Sequence, residues 1–392
     1  MEKSKQGISA FQCGVVWFGA AVSIAEIEAG RELAGAAKGG SLGSVVAAVI
    51  LGHVIGGVLL FAAGLIAALS RRNAMECARL PFGGGASLFA SLNIVQLVGW
   101  TAVMVAQGAA AAAVLLPSVP FAVQASAIGA LVAIWIFIGL GGVSRLNSIA
   151  MFLLLALAAA LSVKLLRGAG DASATPFFEG KEPCFWMALE LSVAMPLSWL
   201  PLVGDYTRDA RSPIAASATG AAIYTLVSCW MYGLGVALVG GEGFAQSVLA
   251  AGMGVVGLVV VVLSTVTTTF LDAYSAGESA RSLSRRIHPK AFGVGVCVVG
   301  TALAIAGLMD RYLDFLYLIA SVFAPMAAVL IADWLVGRKE QQRSKKHVVV
   351  NFAAWLAGLV AYHAALRLGS PLGATLPAMA VAAAIAAAVK GK

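Results

Sequence analysis

Charge is scarce in this chain: Asp, Glu, Lys and Arg make up 11% of its 392 residues, while 60% are hydrophobic. A water-soluble fold covers roughly a quarter of its surface with charged side chains, so this composition excludes one and describes a polytopic membrane protein. Paired cysteines are lacking as well. Cys13, Cys77, Cys184, Cys229 and Cys297 are scattered, which speaks against a disulfide framework, a structural metal or redox chemistry. The four histidines are dispersed, and neither an HExxH nor an aspartate-rich motif is present. A membrane hydrolase or transferase needs a metal site, a nucleophile with its base, or paired acids; the sequence therefore reads as no enzyme, with no cofactor. Long loops are missing too, except for 167 to 183, which leaves no room for a soluble catalytic or signalling domain and so argues against a non-transporting sensor.

What is present is a series of apolar runs, each near the roughly 20 residues a spanning helix needs. The first, Phe11 to Ala29, follows Lys3 and Lys5 like a signal peptide, but Glu26 and Glu28 interrupt it, and it reads as an uncleaved span. Further spans fall at 41 to 70, 86 to 115, 121 to 142, 146 to 166, 184 to 204, 214 to 240, 252 to 276, 291 to 309, 312 to 336, 348 to 366 and 372 to 388, about twelve in all. With a cytoplasmic N-terminus, nineteen of the twenty-six Lys and Arg residues fall on inner loops, among them Arg71, Arg72, Arg79, Arg208, Arg211, Arg281 and Arg285. The positive-inside rule thus puts both termini in the cytoplasm of a prokaryotic inner membrane. The net charge of +8 is then a topology signal and calls for no nucleic acid; the basic run 338 to 347 is a solvated loop or a contact for anionic lipid.

One span is unlike an anchor. Cys184 to Arg211, CFWMALELSVAMPLSWLPLVGDYTRDAR, places Pro196 and Pro201 mid-membrane beside Glu190, Ser192 and Ser198. Backbone groups freed by proline survive at that depth only when buried in protein or lining a wet cavity. A broken helix of this kind is where secondary transporters bind substrate, although a kink that only shapes packing gives the same residues. The first span carries a comparable stretch, GAAVSIAE (19 to 26), five helices earlier. That spacing is expected of two five-helix halves in an inverted repeat, 1 to 167 and 184 to 336, followed by 348 to 388 as two peripheral helices.

Charged and polar residues inside spans are expensive and form a short list. Ser23 and Glu26 share a face unless the helix breaks between them; Glu26 then binds a cation, a proton or an amino group, or lies at the outer interface beside Arg31. Glu190 either lines the same cavity or is hydrogen-bonded within the bundle. Ser264, Thr267 and Thr268 put three hydroxyls on one face of the eighth span, suited to a hard cation such as sodium or to bonding back to the helix. Asp272, one turn on, binds substrate or proton, or pairs with Arg281. In the third span Asn93, Gln96, Trp100 and Gln107 form a stripe of amides and an indole, fit for stacking a flat heterocycle or for interhelical bonds. His53 reads as a packed or hydrogen-bonded structural group, and Asp205 with Arg208 as a gating or helix-end ion pair.

WFGAAVSIAEI (17 to 27), PLSWLPLVGDYTR (196 to 208) and TTTFLDAYSAG (267 to 277) together resemble the nucleobase:cation symporter-1 family, and within it the CytX-type hydroxymethylpyrimidine transporters. The resemblance runs over most of the chain. It implies a LeuT-like fold of ten core and two peripheral helices, with substrate between the first, third, sixth and eighth spans. Trp100 resembles the family's stacking tryptophan, Met104 stands where glutamine is frequent, and the sixth-helix tryptophan falls near Pro196, with Trp199 three residues away. Asp272 takes the place of a substrate-binding asparagine. The resemblance also implies a sodium site of main chain near Ala21 and Ile24 with Thr267 and Thr268. The departures point away from hydantoin or cytosine and toward a ligand with amino donors. The expectation is a monomeric, sodium- or proton-coupled importer of the thiamine precursor 4-amino-5-hydroxymethyl-2-methylpyrimidine for thiamine salvage; cytosine, another nucleobase or an amino acid is the nearest alternative.

Overall fold

The computed structural model describes residues 7–36, 41–138, 140–168, 184–238, 244–250, 252–336 and 344–388. They form sixteen α-helices with two short 3-10 turns and no strand among the described residues: α1 (Ala10–Ala21), α2 (Ile24–Ala36), α3 (Leu42–Ser70), α4 (Ala74–Phe82), α5 (Ser87–Leu115), α6 (Phe121–Ile138), α7 (Leu140–Gly168), α8 (Cys184–Ser198), α9 (Val203–Thr207), α10 (Pro213–Ala237), α11 (Phe244–Ala250), α12 (Gly254–Leu283), α13 (Pro289–Ile305), α14 (Tyr312–Leu335), α15 (Lys345–Leu368) and α16 (Thr375–Ala388). Eight helical stretches are long and apolar enough to cross a membrane, and α1 with α2 makes a further bent pair. Three shorter apolar helices, Phe185–Ser198, Pro289–Ile305 and Thr375–Ala388, occupy the remaining positions where spans are expected. Residues 169–183 of the loop expected at 167 to 183 and most of the basic run 338 to 347 lie outside the described residues.

Two helices break, for different reasons. Between α1 and α2 the axis turns by 51° at Val22 and Ser23. Ser23 Oγ accepts from the Ala25 amide at 3.2 Å, taking up one of the donors that a helix start leaves over. Ser23 thus stands at the break itself and Glu26 within α2, so the two do not share a continuous helix. In the sixth span, Pro196 is tolerated inside α8, and the chain leaves the helix only at 199–202, after which Pro201 precedes the single turn of α9.

The helices pack in three groups. α1, α2, α3, α8 and α10 lie together; α5, α6, α12 and α13 form a second set; α14, α15 and α16 form a third that leans on α8. Close approach in the first group depends on small residues. A Cβ at Gly52 would run into Ser192 of α8, and one at Gly56 into Pro196. This spacing of small residues lets two membrane helices touch backbone to side chain, where a larger residue would wedge them apart. At one end of the bundle, the Ile8 amide donates to the Asp209 carbonyl and the Arg211 amide to the Ile8 carbonyl, both at 2.9 Å. Arg71 donates from the end of α3 to the carbonyls of Arg208 and Ala210.

Candidate functional site

The first and second groups enclose a cavity at the two helix breaks. α1 and α2 supply Ala20, Ser23, Ala25 and Glu26; α5 supplies Gln96, Leu97, Trp100 and Met104; the sixth span supplies Met195, Ser198, Trp199 and Leu202; α12 supplies Thr268 and Asp272. Eight of the nine residues expected to hold substrate thus share one wall: Ser23, Glu26, Gln96, Trp100, Met104, Ser198, Trp199 and Asp272. Pro196 does not, because its ring packs on Gly56 of α3. The cavity measures about 30 Å³, room for about two waters, so a heterocycle needs side chains to move aside.

Its lining divides into rings and acceptors. Trp100 meets Phe315 edge-on at 5.4 Å and Tyr312 at 6.2 Å, which steadies the indole. Trp199 meets Trp17 edge-on at 5.6 Å, and Trp17 in turn meets Tyr206 and Tyr224. Gln96 Nε2 donates to the Ser198 carbonyl at 2.7 Å, a carbonyl exposed by the break after α8. Its Oε1 is buried with no partner. Ser198 Oγ donates to the Met195 carbonyl. Asp272 is 8% exposed and has no hydrogen bond or ion pair among the described residues, Arg281 included. Glu26 is 2% exposed and accepts from Tyr224 Oη at 2.8 Å and Ser228 Oγ at 2.7 Å.

The residues expected to bind a cation lie partly together. Thr267 and Thr268 donate to the Ser264 carbonyl at 2.9 and 3.0 Å. That back-bonding uses their hydrogens and leaves oxygen lone pairs free for a cation. Ser264 is buried on the same helix, and the Ala21 carbonyl accepts from the Ser23 amide at 3.0 Å, at the break. Ile24 lines a different, outer cavity with Gln107.

Several further expectations resolve otherwise. The amide stripe on α5 divides: Asn93 donates across to Ser279 Oγ of α12 at 2.9 Å, as an interhelical bond, while Gln107 belongs to the outer cavity with Glu28, Arg31 and Gln246. Glu190 is turned from the cavity at the helix breaks toward α16, where it accepts from the Ala374 and Thr375 amides at 2.9 Å and from Thr375 Oγ1. Asp205 and Arg208 do not form a hydrogen-bonded pair. Asp205 accepts from the Ala74 amide at the start of α4 at 3.2 Å, and Arg208 lies 3.5 Å from Asp209. His53 is fully buried in a side-chain network, as a hydrogen-bonded group.

The family model of permeases for cytosine/purines, uracil, thiamine and allantoin matches residues 1–383. The chain belongs to this permease family. Among curated proteins, the permease is 25% identical to the cytosine permease of Escherichia coli strain K12 over 356 residues, 84% of each chain. In fold it is similar to Mhp1, a nucleobase-cation-symport-1 family transporter solved closed with bromovinylhydantoin bound: TM-score 0.78 at 19% identity, covering 98% of this permease and 92% of that chain. A sodium-coupled sialic acid symporter solved outward-open superposes with TM-score 0.66 at 15% identity over 97% and 88% of the two chains. The LeuT-like architecture and the family read from the sequence both hold.

Proposed function

We infer that this permease is a cation-coupled importer of an aminopyrimidine, with 4-amino-5-hydroxymethyl-2-methylpyrimidine as its substrate. The observation that carries this reading is the mismatch in the cavity between acceptors and donors. Asp272 has no hydrogen-bond partner among the described residues, Gln96 Oε1 has no donor, and the Gln96 amide, Ser198 and Thr268 have already committed their hydrogens. A ligand that supplies hydrogens, through an amino group and a hydroxymethyl group on a flat ring, satisfies those acceptors while Trp100 or Trp199 covers its face. Cytosine also carries an amino group, and the 25% identity to a cytosine permease makes it the second reading.

Coupling follows from where the two candidate sites meet. Thr268 belongs to both, and the break at Ser23 supplies cavity wall on one side and freed main chain on the other. A cation held by Ala21, Ile24, Ser264, Thr267 and Thr268 would stabilise the same arrangement of α1, α2 and α12 that the substrate needs. Each ligand then raises the affinity for the other by an equal factor. The gathering of Arg71, Arg208 and Arg211 at one end of the bundle supports a cytoplasmic placement of that end and of the N-terminus.

The test is uptake of labelled hydroxymethylpyrimidine and, separately, labelled cytosine into proteoliposomes under a sodium gradient, a proton gradient or neither. Accumulation of the hydroxymethyl compound under an ion gradient alone is the expected result. Accumulation of cytosine only would move the substrate to the second reading, and accumulation of neither by folded protein would overturn the aminopyrimidine assignment.

A further inference from the structure

Of the polar stripe on α5, Gln96 and Trp100 line the cavity at the helix breaks and Asn93 bonds across to α12. Gln107 does neither. It lines the outer cavity with Glu28 and Arg31 of α2, Phe121 of α6, Phe244 of α11 and Met309. That cavity measures about 370 Å³, within the roughly 300–1,000 Å³ usual for small-molecule sites, whereas the inner one measures about 30 Å³. No residue lines both. On α5 the boundary falls within a single turn, with Trp100 and Met104 lining the inner cavity and Gln107 the outer. The two are thus consecutive chambers along one helix, and the outer one has room for a ring.

The polar groups of the outer chamber are of two kinds. Glu28 and Arg31, its only charged lining residues, are spent on each other and on their neighbours. Arg31 donates to Glu28 at 2.7 Å and to Glu32 at 3.3 Å, and the other Glu28 oxygen accepts from the Phe244 amide at 3.1 Å. That last bond seats the start of α11 against α2, with Phe244 on the chamber wall. With its acid and base paired, the chamber suits a neutral ligand. Gln107 is the opposite case. It is 7% exposed, and both its amide nitrogen and its amide oxygen are buried without a partner. Buried amides as a rule find partners, and one left without them on a chamber wall draws them from what the chamber holds.

The amide specifies the chemistry of that partner. A carboxamide presents an acceptor oxygen and N–H donors side by side in one plane. Its complement is a flat group with an N–H donor next to a bare acceptor, such as the amino group and adjoining ring nitrogen of a 4-aminopyrimidine. Asn and Gln pair with the amino group and ring nitrogen of adenine in the same two-bonded way. Phe121, Phe244 and Met309 supply the apolar contacts that a flat ring needs. The inner cavity, rich in unused acceptors, takes hydrogens from the ligand; the outer one gives a hydrogen as well as taking one.

We propose that the outer cavity is a second substrate site, an entry station in which Gln107 takes the amino group and adjoining ring nitrogen of an aminopyrimidine before the ring passes Met104 to Trp100. The choice of ligand rests on the aminopyrimidine reading but not on which aminopyrimidine, since hydroxymethylpyrimidine and cytosine carry the same edge. Because the chambers share no lining residue, one chain binds two ligands.

The test is equilibrium binding of labelled hydroxymethylpyrimidine and, separately, labelled cytosine to the purified full chain in lipid nanodiscs, over concentrations that resolve two classes of site. Wild type should bind two molecules per chain. Gln107→Met keeps the length of the side chain and removes both hydrogen-bonding groups. It should leave one site unchanged and weaken the other roughly 5- to 100-fold, the worth of two hydrogen bonds. Its unfolding temperature should not fall, because the amide it removes has no partner; a fall with both sites weakened alike would make Gln107 a structural residue and overturn the proposal. Trp100→Leu should show the reverse pattern, a weakened inner site beside an intact outer one. A single site in wild type that Gln107→Met leaves unmoved would overturn the entry station and uphold the aminopyrimidine reading. Binding of neither compound by folded wild type would overturn both.

Discussion

Two buried carboxylates sit in helices that bound the same bundle, and their surroundings make opposite uses of them. Glu26 is 2% exposed and Glu190 4%, and each accepts hydrogen bonds from neighbouring groups. Glu190 takes two backbone amides and a hydroxyl from the first residues of α16, so its charge sits at the positive end of a helix and closes orphan donors that have no other acceptor. Glu26 takes two side-chain hydroxyls and opens onto the cavity. Charge inside a span signals a costly group that has found a partner; the partner decides whether it is a fastening or a ligand site.

The largest expected effect breaks the fastening. Glu190→Ala strands the Ala374 and Thr375 amides and the Thr375 hydroxyl, costing at least about 2 kcal/mol and releasing α16 from α8. Thermal unfolding of purified protein should fall sharply, while Glu190→Gln keeps an acceptor and recovers most of it. Equal stability of Glu190→Ala and wild type would show that the contact holds nothing. Next, Trp100→Leu keeps bulk but removes the flat face. Stacking of a base is worth about 1–3 kcal/mol, so KM for uptake should rise roughly 5- to 100-fold with a smaller change in unfolding temperature than Glu190→Ala; an unchanged KM would leave Trp199 as the stacking ring. The smallest effect belongs to the cation side. Thr267→Ala and Thr268→Ala each remove one neutral oxygen, about 0.5–1.5 kcal/mol, and should raise the concentration of coupling cation needed for half-maximal uptake several-fold. A cation dependence that does not move would take these hydroxyls out of the site.

Legibility in the sequence followed distance along the chain. The helix breaks were readable because proline, serine and glycine sit within a few residues of where the chain departs from a helix, although the departure after α8 comes at 199–202 and not at Pro196 itself. Trp100, Gln96, Asp272 and Thr268 were readable from polarity in otherwise apolar spans, helped by the family resemblance. The destinations of Glu190 and His53 were not. The partners of Glu190 are 184 and 185 residues away, and those of His53 are 139 and 175 away, so no local pattern carries them. The spacing of Asp205 and Arg208 misled for a physical reason. α9 is one turn long, and the Ala74 amide at the start of α4 offers Asp205 a donor.

Whether the acceptors of the cavity select a donor-bearing pyrimidine is decided by equilibrium binding. Labelled hydroxymethylpyrimidine and cytosine would be titrated onto purified wild type, Asp272→Asn and Glu190→Gln at fixed sodium and pH. Wild type and Glu190→Gln should bind alike, and Asp272→Asn, whose amide presents hydrogens where the ligand also does, should lose roughly 10- to 100-fold in affinity, the cost of leaving a buried donor unpaired. Asp272→Asn binding as tightly as wild type would show that this acceptor has no part in recognition and would overturn selection by the cavity's acceptors.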